Sequence, residues 1–221
     1  MRNKIKEYLG ARLNISYSKS GDDIQLMKLI NSSSPGAYVD IGSWHPIKYS
    51  NTYYFYLRNW KGICVDPNPN LIPLYKEFRP KDIFINAGIS KSDVPLDFYM
   101  VKESSMNTFS YDFLVKHQLD SQIISTLKVP MITLKEVLDK NLKDSDRLDF
   151  FDIDVEGLDL EVLKTNDWSK YRPKIIVIET DIALKEDFNS EIVKYLEDQD
   201  YRLIGKSIIN GDLGNLFLIS N

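Results

Sequence analysis

A chain of 221 residues and 25.6 kDa, 43% hydrophobic and 27% charged, has ordinary globular composition, which excludes wholesale disorder. One cysteine, Cys64, and two histidines, His45 and His117, exclude an internal disulfide, a cysteine-rich zinc site and a histidine-rich metal site, and point to a reducing, cytoplasmic setting. A net charge of -4 lacks the basic footprint of a nucleic-acid coat.

No segment reaches the roughly 18 unbroken apolar residues of a membrane span. The length suits one domain spanning residues 1–221, with residues 1–34 as a helical N-terminal extension. Its start, MRNKIKEYLGARLN, reads as a short basic helix without the apolar core of a secretory signal.

Strand and helix patterns then alternate. Ala37–Gly42 and Gly62–Pro67 are short apolar strands, and each ends in an aspartate. The aromatic-rich segment Ser50–Trp60 between them is long enough for a helix, which makes a strand–helix–strand unit of a parallel sheet. Asn68 can cap a helix with Pro69 at its first position, and Leu71, Leu74, Tyr75 and Phe78 form its apolar face. Asp82–Ser90 holds a third strand. Leu96–Val101 is strand-like, and the rest of 91–130 reads as loop plus one irregular helix, an insertion suited to acceptor contacts.

Thr133 and Glu136 form a capping-box pattern for the next helix. Arg147–Asp154 and Lys174–Thr180 are the fourth and fifth strands, the latter with the continuous apolar run of a sheet covered on both faces. After a last helix, two strands flank Asn210–Gly211 as a terminal hairpin. The expected fold is a three-layer α/β/α sandwich around a mostly parallel seven-stranded sheet with an antiparallel terminal strand, the class I (Rossmann-like) methyltransferase architecture.

In such a sheet, ligands bind beyond the carboxyl ends of the strands. Asp66 follows Asp40 by 26 positions and can accept hydrogen bonds from both hydroxyls of a ribose. The first turn contains Gly42 but no GxGxxG, so it lacks the close approach to a pyrophosphate. A nucleoside without phosphates fits better, and S-adenosylmethionine is the obvious one. Gly42 and Ser43 would lie along its amino-acid tail and Asp40 would hold its ammonium. Ser50, Asn51 and Thr52 would contact the tail or the acceptor. Asp66 and Pro67 would face the ribose, and Asn86 and Ala87 the adenine.

Asp152, Asp154 and Glu156 share parity and would project to one side if extended. Crowded carboxylates raise one another's pKa, so Asp154 or Glu156 could serve as base towards an acceptor hydroxyl. They could equally hold a divalent cation through oxygen ligands, or merely satisfy the following helix's amides. His45, in the first turn, is a further candidate base, while His117 reads as a surface residue. Tyr53 to Tyr56 read mostly as packing, and Cys64 as buried and inert. The Asp152–Asp154 spacing also matches a glycosyltransferase-like DxD, which the absence of a phosphate cradle disfavours.

The run YVDIGSWHPIKYSNTYYFYLRNWKGICVDPNP, and later FFDIDVEGLDLEVLKTNDW followed by RPKIIVIE, resemble the two signatures of the FkbM-type methyltransferases. Upstream, YSKSGDDIQL is similar to that family's Ser-Gln-x-Gly-Glu-Asp motif, with Lys19 and Asp22 in place of Gln and Glu. The resemblance runs from Tyr17 to Ile178 and is patchy at 91–130. It implies S-adenosylmethionine-dependent O-methylation, for many members of sugar or natural-product hydroxyls, and here of a saccharide in a glycan or glycan precursor. A nicotinamide-dependent oxidoreductase and a non-catalytic nucleoside- or sugar-binding module are the competing readings. Oligomeric state is not legible in the sequence.

Overall fold

The structure is a computed structural model that describes residues 15–92, 94–143 and 146–221. The basic helix expected over residues 1–14 lies outside the described residues.

Seven strands form the main sheet: β1 (Ala37–Ile41), β2 (Lys61–Val65), β3 (Ile83–Ile85), β8 (Leu148–Ile153), β9 (Ile175–Thr180), β10 (Tyr201–Asn210) and β11 (Leu213–Ser220), in the order β10-β11-β9-β8-β1-β2-β3. β11 runs antiparallel between β9 and β10, and the other neighbouring pairs are parallel. The expected class I methyltransferase architecture is therefore the one observed.

Strand alternation gives the sheet two apolar faces. Val39, Ile63, Phe151, Ile176 and Leu218 point to one, where α5 (Leu134–Asn141), α6 (Asp159–Leu163) and α8 (Glu191–Glu197) pack. Tyr38, Cys64, Phe150, Val177 and Phe217 point to the other, under α1 (Asp22–Ile30), the short α2 (Tyr53–Tyr56) and α3 (Ile72–Phe78). Both faces are buried, which is why β9 reads as a continuous apolar run.

Local signals shape the elements that carry the cleft. Asn68 accepts from the Asn70 amide at 3.0 Å and opens a 3-10 turn, Pro69–Leu71, that leads into α3. Thr133 and Glu136 make the expected reciprocal cap of α5. The short α7 (Leu184–Asp187) precedes α8, which Ser190 caps by accepting from the Val193 amide. Gly211, with φ +58, turns the terminal hairpin.

Three segments differ from the sequence expectation. The helix expected over Ser50–Trp60 shrinks to Tyr53–Tyr56, because Asn59 turns left-handed at φ +61 and sends Trp60 into β2. Phe55 packs between Trp60 (ring centroids 4.9 Å) and Phe150 (4.7 Å), so its place is set by the core rather than by helix propensity. The third strand stops at Ile85, and Gly88–Ile89 (β4) pairs instead with Met131–Ile132 (β7). Within 91–130, β5 (Leu96–Val101) forms as expected, but Ile123–Val129 is a strand, β6, antiparallel to it, after α4 (Tyr111–Lys116). Among the described residues, no helix is long and apolar enough to cross a membrane.

Candidate active site

Register decides which side chains meet at the carboxyl ends of the strands. Asp40 on β1 and Asp152 on β8 are partners, as are Glu179 on β9 and Asn215 on β11. By alternation all four share the face of Tyr38, Phe150, Val177 and Phe217. Asp154 keeps the parity of Asp152. At Glu156 the backbone leaves the extended form, with φ +53.

These residues border a cleft with two compartments. One is mainly apolar, lined by Ile41, Val65, Pro67, Ala87, Ile89 and Phe98 beside Asp66. The other is polar, lined by Asp40, Ser43, Ser50, Asn51, Asp152 and Lys19. Gly42, Trp44, Ser105, Asp154 and Glu156 border both. A wider outer cleft of about 550 Å³ opens beyond them, sharing Glu156, Glu179 and Lys19.

Asp66 is buried and already accepts from two backbone amides, Trp44 at 3.0 Å and Asn68 at 2.8 Å. Burial outweighs these bonds and pushes its carboxyl up to about 7. Each carboxylate oxygen has two lone-pair directions, so Asp66 can still accept further donors. Gly42 has φ +80, and a Cβ there would stand 1.7 Å from the Asp154 carbonyl oxygen. The glycine is thus required by the approach of β8's end.

Asp40 accepts from the Thr52 hydroxyl, which in turn accepts from Arg79 Nη1 at 3.0 Å. Burial raises Asp40 to about 6. Thr52 is fully buried and sits behind the cleft, holding Asp40 rather than lining the compartments. Asn51 does line the polar compartment and donates to Asp152 Oδ1 at 3.1 Å. Ser43 Oγ is buried there with no hydrogen-bond partner among the described residues.

Pro67 and Ala87 line the apolar compartment, whereas Asn86 donates to the Asp66 carbonyl at 2.9 Å and faces a groove beside Tyr75. His45 is spent locally. Its Nδ1 accepts from the amides of Ile47 (3.1 Å) and Lys48 (3.0 Å), and it lines neither compartment. Burial and the neighbouring Lys48 lower its pKa.

The loop that carries Glu156 is braced from two sides. Asp159 accepts from the amides of Val155 (3.1 Å) and Gly157 (3.3 Å), and Thr108 of the insertion donates to the Glu156 carbonyl at 2.9 Å. Burial, with Asp154 and Asp159 adding repulsion, pushes Glu156 up to about 9.

Five residues that line the clefts were not among the site residues expected from the sequence. Glu179 is the penultimate residue of β9, where the same strand-end rule would have found it. Lys19 and Asp22, the two departures from the upstream motif, both line the polar compartment. Trp44 spans the compartments, with its indole donating to Ser104 at 3.1 Å, a link to the insertion that needs tertiary contact to be visible. His117, expected at the surface, lines the outer cleft against Phe113, with ring centroids 4.3 Å apart.

The methyltransferase FkbM domain family matches residues 36–203. The chain belongs to this family. Its members are S-adenosylmethionine-dependent methyltransferases, so the FkbM match names the class of enzyme as well as the fold. It takes in Asp40, Asp66, Ala87, Asp154 and Glu179, while Lys19 and Asp22 lie upstream of it. No curated protein matches the chain.

Solved structures resemble this FkbM protein in fold at low identity. Precorrin-6y C5,15-methyltransferase from Geobacter metallireducens is 13% identical, with TM-score 0.49 over 90% of this chain and 88% of that one. The 1,6-didemethyltoxoflavin-N1-methyltransferase from Burkholderia thailandensis, solved with S-adenosylhomocysteine, is 10% identical, with TM-score 0.48 over 100% of this chain and 86% of that one. TrmK from M. capricolum, also solved with S-adenosylhomocysteine, is 17% identical, with TM-score 0.46 over 89% and 68%.

Proposed function

We propose that this FkbM-family protein methylates a hydroxyl of a saccharide, in a glycan or glycan precursor, using S-adenosylmethionine. The observation that carries the reading is the junction of the clefts. Gly42, Asp154 and Glu156 border both inner compartments, and Glu156 also borders the outer cleft. The chain thus brings carboxylates to the place where a cofactor's reactive end and an acceptor would meet.

The cleft fits the cofactor compartment by compartment. The apolar side, with Pro67 and Ala87, suits an adenine, and Asp66 beside it can accept from ribose hydroxyls. The polar side suits an amino-acid tail: Asp40 and Asp152 complement an ammonium, Asn51 positions Asp152, and the orphaned Ser43 hydroxyl can donate to a carboxylate. The cofactor, when bound, supplies an electrophilic methyl on a positively charged sulfur.

The chain's own work is alignment and proton removal. Asp159 and Thr108 hold the Glu156 loop in place against the cleft. Burial raises Asp154 and pushes Glu156 up to about 9, so either carboxylate, once ionised, is a stronger base towards an acceptor hydroxyl than a solvated one. The insertion 91–130 supplies Ser104, Ser105 and Phe98 to the inner cleft and Phe113, Lys116 and His117 to the outer one. That placement supports its role in acceptor binding. In the outer cleft Lys19 and Lys116 stand among Asp159, Glu179, Asp181 and Glu191, a mixed lining rather than the basic track that a nucleic-acid backbone takes, which favours a neutral saccharide. The lone buried Cys64 fits a cytoplasmic setting.

The test is a methyl-transfer screen with S-adenosylmethionine against nucleotide sugars and oligosaccharides. Asp154→Asn and Glu156→Gln should lower turnover of any acceptor found while leaving S-adenosylhomocysteine binding largely intact. Full activity in both variants would remove the base assignment.

A further inference from the structure

Most buried carboxylates around the cleft are satisfied by the chain itself. Asp40 has Thr52, Asp66 has two amides, Asp152 has Asn51, and Asp159 has the amides of its own loop. Asp154 is different. Its Oδ1 is fully enclosed, and no described donor reaches it. Register explains what stands beside it. The last β8–β9 pair is Ile153 with Ile178, so the next residues, Asp154 and Glu179, emerge side by side at the carboxyl edge. With Glu156 they form a group in which one carboxylate oxygen from each residue lies within 4.8 Å of the other two.

Buried charge persists when it is paired or bound to a metal ion. We propose that Asp154, Glu156 and Glu179 bind one divalent cation of the hard, oxygen-seeking class, magnesium or manganese, at the acceptor end of the cleft. The donor set is all carboxylate, the chemistry that such ions select.

The position of the group gives the ion a use. Glu156 and Glu179 border both the polar compartment and the outer cleft. A cation there could polarise an acceptor hydroxyl and leave coordination positions for acceptor oxygens. That selects acceptors with two neighbouring oxygens, such as the vicinal hydroxyls of a sugar. This use rests on the methyl-transfer reading; the binding of the ion does not.

The experiment is calorimetric titration of the full chain with manganese chloride, alone and saturated with S-adenosylhomocysteine. Wild type should bind one ion per chain in both states. Glu179→Gln and Asp154→Asn should each weaken manganese binding by about tenfold or more, since disturbing even a supporting partner of a metal ligand has an effect of that order. Their affinity for S-adenosylhomocysteine should stay near the wild-type value, which shows that the variants are folded. No saturable manganese binding by wild type overturns the proposal, and so does binding unchanged in both variants. Loss of the ion on adding S-adenosylhomocysteine also overturns it, because the group would then hold the cofactor's ammonium. Failure of S-adenosylhomocysteine to bind at all counts against the cofactor reading alone, and the manganese titration still decides the site.

Discussion

The backbone amide of Trp44 donates to Asp66 Oδ2 at 3.0 Å, joining the turn after β1 to the end of β2. One carboxylate therefore shapes the first turn and also stands in the apolar compartment. Asp66→Ala removes both functions. Loss of charge-assisted hydrogen bonds of about 1.5–3 kcal/mol corresponds to about 10- to 100-fold weaker S-adenosylhomocysteine binding, measured by calorimetry. Unchanged affinity would remove Asp66 from the cofactor site.

The same burial gives the protein a pH signature. Asp66 and Asp159 are pushed up to about 7 and Asp40 to about 6, against about 3.9 in an unfolded chain. Between those values the folded state binds more protons than the unfolded state. Stability contributed by these groups therefore falls as pH rises from about 4 through 7. The ligand-free protein should melt at a higher temperature near pH 5.5 than near pH 7.5, roughly the two sides of that window. Asp66→Asn should flatten the slope, and an unaltered slope would refute this origin.

Behind the cleft, Arg79 is fully buried and ion-pairs with Asp82 at 2.6 Å. It also donates to Tyr38 (2.8 Å) and to Thr52 (3.0 Å), the residue that holds Asp40. Asp82→Ala leaves that guanidinium uncompensated, a cost of about 3–5 kcal/mol and a Tm drop on the order of 10 °C. Arg79→Lys should restore little, because an ammonium cannot reproduce the planar fork. A Tm within error of wild type for Asp82→Ala would contradict the network.

His45 offers the sharpest contrast between sequence and structure. Its Nδ1 is occupied by the amides of Ile47 and Lys48, outside both compartments. His45→Asn keeps a side-chain acceptor for the turn and should retain turnover. A large loss in kcat with normal S-adenosylhomocysteine binding would return His45 to the reaction.

Strand positions and most of the cleft were legible because two rules suffice for them. Apolar runs ending in Asp mark β1, β2 and β8, and ligands gather at the carboxyl ends. Those rules located Asp40, Gly42, Asp66 and Asp154. They did not separate residues that line the cleft from residues that support it. Thr52 and Asn86 stand next to Asn51 and Ala87 in the chain, and only packing puts Thr52 behind the cleft and turns Asn86 to a separate groove. The 91–130 region was less legible because β6 depends on pairing with β5, a tertiary contact. Arg79 gave no signal either, since nothing local announces a buried arginine.

The central claim is tested most directly by calorimetric titration of the purified chain with S-adenosylmethionine, S-adenosylhomocysteine and NAD side by side. Saturable one-to-one binding of the two sulfur nucleosides and none of NAD is expected. Binding of NAD without either sulfur nucleoside would contradict it.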